Sequence, residues 1–230
     1  MTRETFDRRL NQLQDDVLYL GSMVDKAIGR SLEGLKQRDL PLARQVIEDD
    51  AAINQKRFEI EEKALLLIAT QQPMAVDLRV IAAVLNIITD LERMADHAAG
   101  IAKITIMLGD EPLLKPLIDV PLMAAKAREM LRRALDAFVA RDAQAAREVS
   151  ALDDQVDALY DQVYRELLSF MISDPGTITR ATRLLWVAHN LERIADRVTN
   201  ICERVAFTVT GKMEEMNPLR PERLRAQGIG

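Results

Sequence analysis

Cysteine and aromatic residues are scarce in this chain of 230 residues. The single cysteine, Cys202, excludes a disulfide within the chain and any zinc site built from several thiolates. Aromatic residues make up only 4% of the chain, whereas Ala, Leu, Glu, Arg and Ile are frequent, and this composition favours helix over sheet. The scarcity of cysteine also fits a reducing compartment, so we expect the protein in the cytoplasm.

The chain also lacks a basic stripe, a signal-peptide pattern and a long apolar run. Its formal net charge of −5 argues against nucleic acid as a partner and suits cations better. The first residues are charged and contain no apolar core, so we expect no signal peptide. No run approaches the roughly 18 apolar residues that a membrane span needs. We therefore expect a soluble intracellular protein.

The eight prolines divide the chain into segments of helical length. Proline is tolerated in the first turn of a helix and disfavoured inside one. Asp39, Asp142 and Asp174 stand where they can cap the helices that follow them. The six predicted helices span about residues 3–37, 40–70, 74–109, 121–140, 143–172 and 176–211.

A hexapeptide of the first half returns in the second half. Residues 91–96 read Leu-Glu-Arg-Met-Ala-Asp, and residues 191–196 read Leu-Glu-Arg-Ile-Ala-Asp. The hexapeptides are 100 residues apart. Earlier in each half, further matches such as Asp50 with Asp153 are 103 residues apart. We therefore predict an all-α fold of two tandem, pseudo-symmetric three-helix bundles with six long antiparallel helices. The predicted parts are a first repeat at 1–110, a proline-rich linker at 111–120, a second repeat at 121–212 and a disordered tail at 213–230.

Each repeat carries two carboxylates four residues apart on one helix face. Such neighbours repel each other unless a cation lies between them. A helix rises about 1.5 Å per residue. Measured from the turn that joins the two helices, Asp50 and Asp153 on the preceding helices therefore lie about as far along as these pairs. Converging carboxylates with few nitrogens and no sulfur suit Mg²⁺, Mn²⁺, Ca²⁺ or iron. The sequence thus predicts two separate surface metal sites, with the candidate ligands Glu92, Asp96 and Asp50 in the first and Glu192, Asp196 and Asp153 in the second.

A simpler interpretation stays open, because the charged face of a helix is usually only solvated surface. His189 shares the face of Glu192 and is a further candidate ligand, although Thr89 stands at the matching position of the first repeat. We expect Arg93 and Arg193 to pair with neighbouring carboxylates instead of contacting a ligand. Trp186 and Cys202 are expected to be packing residues.

The known catalytic motifs are missing from the sequence. It contains no nucleophile elbow, P-loop, glycine-rich dinucleotide loop or zinc-ligand spacing. Di-iron oxidases, the nearest enzyme class for a helical bundle with carboxylates, need Glu-x-x-His pairs. Ala95 and Ala195 occupy the histidine positions here. We predict that the protein is not an enzyme; the alternative is a carboxylate-bridged, di-iron-like metalloenzyme.

These motifs resemble those of the PhoU family, the accessory and regulatory proteins of bacterial phosphate-specific transport. The resemblance rests on Gln-Pro-Met-Ala-Val-Asp-Leu-Arg at 72–79 and on the two Leu-Glu-Arg-x-Ala-Asp segments, and it covers about residues 5–212. It implies a negative regulator of the phosphate-starvation response and of phosphate uptake. The implied partners are the phosphate sensor histidine kinase and the ATPase subunit of the phosphate ABC transporter, so the protein would meet a membrane only indirectly, through these partners. The resemblance also implies divalent or ferric ions (iron, Mn, Mg or Zn), in some members as multinuclear clusters, at the Glu-x-x-x-Asp motifs.

Two features of the sequence bear on how the repeats differ and how the protein assembles. Arg197 stands where the first repeat has His97, so the two metal sites are expected to differ. The third predicted helix begins apolar on all sides, which is more than one bundle seam requires. Either the other helices of the chain cover this surplus, or it forms a homodimer or docks on the kinase or transporter.

Overall fold

The computed structural model describes residues 3–216, and these residues form helices and short connections without a strand. The all-α prediction is confirmed. The seven α-helices are α1 (Arg3–Gln37), α2 (Leu40–Gln71), α3 (Val76–Leu108), α4 (Asp119–Ala140), α5 (Ala143–Ser150), α6 (Asp153–Ser173) and α7 (Ile178–Thr210), with a 3-10 turn at Pro175–Thr177 before α7.

The expected aspartate caps are present at the starts of the elements. The carboxylate of Asp39 accepts a hydrogen bond from the backbone N–H of Leu42 at 2.9 Å. Asp142 accepts two such bonds at the start of α5, at 3.0 and 2.9 Å. Asp174 caps the 3-10 turn through the N–H of Gly176 at 2.9 Å. Each cap satisfies backbone donors that have no partner inside the helix.

The predicted fifth helix is interrupted, and this is the main difference from the expected boundaries. It forms α5 and α6, separated by a turn at Ala151 and Leu152. The acidic residues Asp153 and Asp154 occupy the first turn of α6, where the partial positive charge of a helix N-terminus favours carboxylates. The structure also starts α4 at Asp119, so the last two residues of the predicted linker at 111–120 are helical.

Part of the predicted tail at 213–230 is placed against the second repeat. The backbone N–H of Met216 donates to the carboxylate of Glu203 at 3.1 Å. Glu214 lies 3.4 Å from the guanidinium of Arg147. The remainder of that tail, residues 217–230, lies outside the described residues.

The core is centred on α3 and α7, which pack against each other and against the helices of their own repeats. The start of α3 is apolar on more sides than one helix contact requires, and most of these residues are buried in the core. Val80, Ile81, Val84, Ile87 and Ile88 are at most 1% exposed. The first interpretation, coverage by other helices of the chain, is therefore correct for these residues. Val76 and Leu78 remain partly exposed, at 38% and 42%.

The two repeats join through α3 and α7 in a pseudo-symmetric way. The ring nitrogen Nδ1 of His97 lies 3.0 Å from Oδ1 of Asn190. Across the pseudo-two-fold axis that relates the two repeats, Asn200 and Arg197 donate to Oδ1 of Asp90 at 3.1 and 3.5 Å. Positions 90 and 97 correspond to 190 and 197, so the same pair of positions meets twice across the seam. This pattern makes α3 and α7 antiparallel neighbours.

A second contact between the repeats lies between α1 and α4. The guanidinium of Arg128 donates two hydrogen bonds to the carboxylate of Asp25, at 2.8 and 2.7 Å. These two residues occupy corresponding positions at the offset of 103, so they face each other across the pseudo-two-fold axis. Since α1 packs on α3 and α4 packs on α7, they cover one side of the α3–α7 pair. We call the other side, which carries the exposed residues of α3 and α7, the open face.

Among residues 3–216, no helix combines the length and the apolar character that crossing a membrane would require.

Gly21 allows the close approach of α1 and α4. A Cβ atom at this position would overlap Cδ1 of Leu135, a buried side chain of α4. We expect Gly21→Ala to lower the free energy of unfolding by about 1–2 kcal/mol, since overpacking outweighs the gain in helix propensity. Gly34→Ala is the matched control in the same helix, because its Cβ would meet no atom closer than 3.6 Å. Urea unfolding measures both variants, and equal stabilities would contradict the close packing.

Candidate metal sites on the open face

The two acidic pairs lie in equivalent places, on α3 and on α7. In the first repeat the side chains of Glu92 and Asp96 are 20% and 44% exposed. In the second, Glu192 and Asp196 are 22% and 32% exposed. The glutamates are thus the more buried members and the aspartates the more accessible ones. The residues between them, including Leu91 and Met94 and their counterparts, fill the core.

The structure brings Asp50 of α2 to the acidic pair of α3, as the helix heights predicted. Burial raises the pKa of Asp50, and the charge of Asp96 raises it further. Burial and the charge of Asp96 also raise the pKa of Glu92, with a smaller contribution from Asp50. The amide of Asn54 donates to Asp50 at 3.1 Å. These three carboxyl groups therefore form one electrostatically coupled cluster.

Basic side chains partly neutralise this first cluster. The charge of Lys103 opposes the rise in the pKa of Asp50, and the charges of Arg93 and Arg57 do the same for Glu92. The guanidinium of Arg93 also bridges the pair directly, at 3.5 Å from Glu92 and 3.3 Å from Asp96. The first repeat thus carries its own cations around its acidic pair.

The second cluster has different neighbours. The ring of His189 lies 3.4 Å from the carboxylate of Glu192. Burial raises the pKa of Tyr160 on α6, and the charge of Glu192 raises it further. Arg193 lies 3.2 Å from Asp196. Asp153 is only 1% exposed at the start of α6.

Comparison of corresponding positions shows how the two clusters differ in charge. The matched residues, first repeat before second, are Asn54 and Asp157, Arg57 and Tyr160, Thr89 and His189, and Lys103 and Glu203. Two cations and an amide of the first repeat are therefore replaced by a phenol and two carboxylates, and a hydroxyl by an imidazole. All four differences can be read from the alignment of the two repeats.

The side chains suit an oxygen-preferring cation chemically, but they are not gathered into a finished site. Across residues 3–216, no three His, Cys, Asp or Glu side chains are arranged so that they could hold a metal ion as they stand. Carboxylate oxygens are nevertheless the ligands that hard cations prefer. Each pair also already has a cation beside it, the guanidinium of Arg93 or Arg193.

Three residues outside the acidic pairs clarify the earlier expectations. Burial lowers the pKa of His97, which lies in the seam against Asn190 and outside the candidate site, as expected. Cys202 is buried, and burial raises its pKa to about 12, so the expected packing role is confirmed. Trp186 does not fit its expected packing role, because it is 50% exposed on α7.

A family model described as "PhoU domain" matches this chain twice, at residues 17–105 and at residues 120–205. The chain belongs to the PhoU family. Each matched segment contains one acidic pair, so the pairs recur with the family domain.

Relatives and solved structures with the PhoU name cover most of the chain. The phosphate-specific transport system accessory protein PhoU homologue of Clostridium acetobutylicum is 40% identical over 94% of this chain and 100% of its own length. The homologue of Caulobacter vibrioides is 38% identical over 96% of each chain. The crystal structure of PhoU from Pseudomonas aeruginosa matches with a TM-score of 0.85 and 34% identity, over 90% of this chain and 100% of that one. The phosphate transport system regulatory protein PhoU from Streptococcus pneumoniae matches with a TM-score of 0.85 and 33% identity, over 91% and 99%. The predicted PhoU-like fold is confirmed.

The raised pKa of Glu92 predicts that its charge destabilises the metal-free protein. The folded state holds the proton of Glu92 more tightly than the unfolded state, so stability falls as the pH rises through the folded-state pKa. We therefore expect Glu92→Gln to raise the unfolding temperature at pH 7 in the presence of a chelator. The difference should vanish below about pH 4, where the carboxyl is protonated in both states. Glu62→Gln, at an exposed position of α2, is the control and should change little. A lower unfolding temperature for Glu92→Gln at pH 7 would contradict this account.

Proposed function

We propose that this protein regulates the phosphate-specific transport system, and that it represses the phosphate-starvation response and limits phosphate uptake when phosphate is plentiful. The observation that carries the proposal is the match of both repeats to the PhoU domain. The relatives named as accessory proteins of that system support it, because they align over nearly the whole chain. The regulator would act in the cytoplasm.

Regulation would proceed through protein contacts and not through catalysis. The chain has two histidines and one cysteine. His97 is held in the seam by Asn190, and Cys202 is buried with a pKa of about 12, which makes it a poor nucleophile. The names of the relatives describe accessory and regulatory proteins, and they do not favour the alternative of a carboxylate-bridged metalloenzyme.

The proposed partners are the phosphate sensor histidine kinase, the ATPase subunit of the phosphate ABC transporter and a second copy of this chain. Exposed apolar side chains near the turn of each repeat are the candidate contacts; they are Leu65, Leu66 and Met74 in the first repeat and Leu168, Phe170 and Ile172 in the second. Because α3 and α7 are antiparallel, these turns lie at opposite ends of the pair, about 50 Å apart for helices of this length. Two such ends would let one molecule contact two partners.

We also propose that each acidic pair binds divalent or ferric ions, with iron, manganese, magnesium and zinc as candidates. The ligands would be Glu92, Asp96 and Asp50 in the first repeat. In the second repeat they would be Glu192, Asp196 and Asp153. A bound cation would neutralise the repulsion that raises the pKa values of Asp50 and Glu92. The second site should bind a cation more tightly than the first, because Tyr160 and Glu203 stand where the first repeat has the cations Arg57 and Lys103.

The regulatory role predicts a clear phenotype. Deleting every copy of the gene should derepress alkaline phosphatase in phosphate-rich medium, and the wild-type gene on a plasmid should restore repression. Phosphatase activity is measured in phosphate-rich and phosphate-poor cultures of the deleted, complemented and parental strains. Unchanged repression in the deleted strain would overturn the proposed regulation.

The metal sites predict two classes of bound cation. In a Mn²⁺ titration followed by electron paramagnetic resonance, the tighter class should exceed the weaker by about tenfold, given the charge difference around the two pairs. Glu192→Gln should abolish the tighter class, and Glu92→Gln should abolish the weaker one. Glu129→Gln on α4 is the matched control and should retain both. A double variant, Glu92→Gln with Glu192→Gln, that binds as much Mn²⁺ as the wild type would remove the assignment.

A further inference from the structure

Three of the chain's four Tyr and Trp residues lie on two adjoining helices of the second repeat. Tyr160 and Tyr164 are one turn apart on α6, and Trp186 and His189 are one turn apart on α7. The rings of Tyr160 and His189, with centroids 6.3 Å apart, connect the two helices. Tyr164 and Trp186 are 45% and 50% exposed. We call these four residues the aromatic surface.

The first repeat carries charged and polar residues at the positions that correspond to the two tyrosines and the tryptophan. They are Arg57, Glu61 and Asn86. Arg57 and Glu61 form an ion pair at 3.2 Å on α2. Tyr and Trp are enriched among the residues that dominate the energy of protein contacts, because their rings bury a large area at a small cost in freedom. The exchange of charged groups for rings therefore indicates a docking surface for a protein segment on the second repeat.

Carboxylates border the aromatic surface. The carboxylate of Glu192 lies 3.4 Å from the ring of His189. Burial raises the pKa of Tyr160 most, and the charges of Glu192 and Asp161 raise it further, so both carboxylates act on this ring. Rings with acidic neighbours suit arginine, because its planar guanidinium stacks on aromatic faces and pairs with carboxylates. A segment that docks here should therefore contain arginine.

The C-terminal segment, residues 217–230, has this chemistry. It contains Arg220, Arg223 and Arg225 against a single acidic residue, Glu222. The chain as a whole is acidic, with a formal net charge of −5. The charge of the C-terminal segment is therefore opposite to that of the carboxylates around the aromatic surface.

The residues before this segment already run back along α7. After α7 ends at Thr210, the guanidinium of Arg204 donates to Sδ of Met213 at 3.2 Å. The backbone N–H of Met216, the last of the described residues, donates to the carboxylate of Glu203 at 3.1 Å. Met216 also packs against the core. The chain is thus directed toward the start of α7, where the aromatic surface lies.

The C-terminal segment is long enough to cover the remaining distance. Trp186 lies 17 residues before Glu203, which corresponds to about 26 Å along the helix axis. An extended chain covers at most about 3.3–3.6 Å per residue, so the nine residues from Met216 to Arg225 can span about 30 Å. Glu192, at about 17 Å from Glu203 along the same axis, is nearer still. All parts of the aromatic surface are therefore within reach.

We propose that residues 217–230 dock on the aromatic surface of their own second repeat, with their arginines against the rings of Tyr160 and Trp186 and beside Glu192. In the first repeat the arginine belongs to α2, as Arg57, whereas in the second repeat the C-terminal segment supplies it. Docking covers the aromatic surface, so a partner protein that binds there must displace the segment. The C-terminal segment therefore acts as an internal competitor for this surface.

Trp186 is the only tryptophan of the chain, so its fluorescence reports on the aromatic surface. A nitroxide attached at Ala226→Cys quenches tryptophan only at close range, and Cys202, buried with a pKa of about 12, does not react with the label. We expect about twofold or stronger quenching at about 0.1 M salt and its loss at about 1 M, because the Debye length falls from about 10 to 3 Å. Reducing the nitroxide gives the unquenched reference, and a chelator keeps metal ions away from Glu192.

Two variants of the labelled protein remove the docking contacts. The triple variant, Arg220→Gln with Arg223→Gln and Arg225→Gln, should lower the quenching to its value at high salt. Tyr160→Arg introduces the residue of the first repeat and should weaken the quenching, because like charges then repel each other. The control is a nitroxide at Glu4→Cys on α1, which packs on α2, α3 and α4. It should leave the tryptophan fluorescence unchanged.

The possible outcomes decide for or against docking within one chain. Quenching that is independent of protein concentration and lost in the triple variant supports it. Absence of quenching by the label at position 226 at low salt overturns it, and so does equal quenching in the triple variant. Quenching that rises with protein concentration also overturns it, because the segment of a second copy then occupies the surface. The proposed regulation of phosphate transport is tested separately, by the phosphatase phenotype.

Discussion

The antiparallel packing of α3 on α7 is the interaction on which the rest of the structure depends. One side of each helix is committed to this seam; α1 and α2 also pack on α3, and α4, α5 and α6 also pack on α7. The residues of α3 and α7 that stay exposed form the open face, and the partly exposed acidic pairs lie among them. The seam is also polar at selected points, where Asp90 meets Arg197 and Asn200 while His97 meets Asn190. These bonds favour one register of two otherwise largely apolar surfaces, because a shift along the helix would leave half-buried polar groups without these partners.

The two repeats share one arrangement of helices apart from the break between α5 and α6, while their charges have diverged. Corresponding positions face each other at Asp25 and Arg128, where the two residues carry opposite charges and form the contact between α1 and α4. Around the acidic pairs, Arg57 and Lys103 have no cationic counterpart in the second repeat. The duplicated fold thus carries the same acidic pair twice, with different charged neighbours in each repeat. Family membership and the regulatory role proposed from it are compatible with such a division between the repeats.

Much of the architecture could be predicted because its signals are local or repeated. Proline positions and the caps Asp39 and Asp142 give helix limits that agree with the structure to within a few residues. The repeated hexapeptide indicates the duplication, and helix rise alone places Asp50 near Asp96. The break between α5 and α6 was missed, because no proline or glycine marks it. The exposure of Trp186 was also missed, since an apolar residue does not reveal which face of its helix is covered.

The sequence by itself determined the helical class, the two repeats, the family and the residues of the acidic pairs. Each of these depends on periodicity, spacing or identity along one chain segment. Only the tertiary structure decided that α3 lies against α7, that the apolar side chains of α3 from Val80 to Ile88 are mostly covered by other helices of the chain, and that Trp186 is half exposed. The physical reason is that burial and pairing are properties of neighbours in space. Residues about one hundred positions apart, such as Asp90 and Arg197, meet only after the helices have chosen their partners.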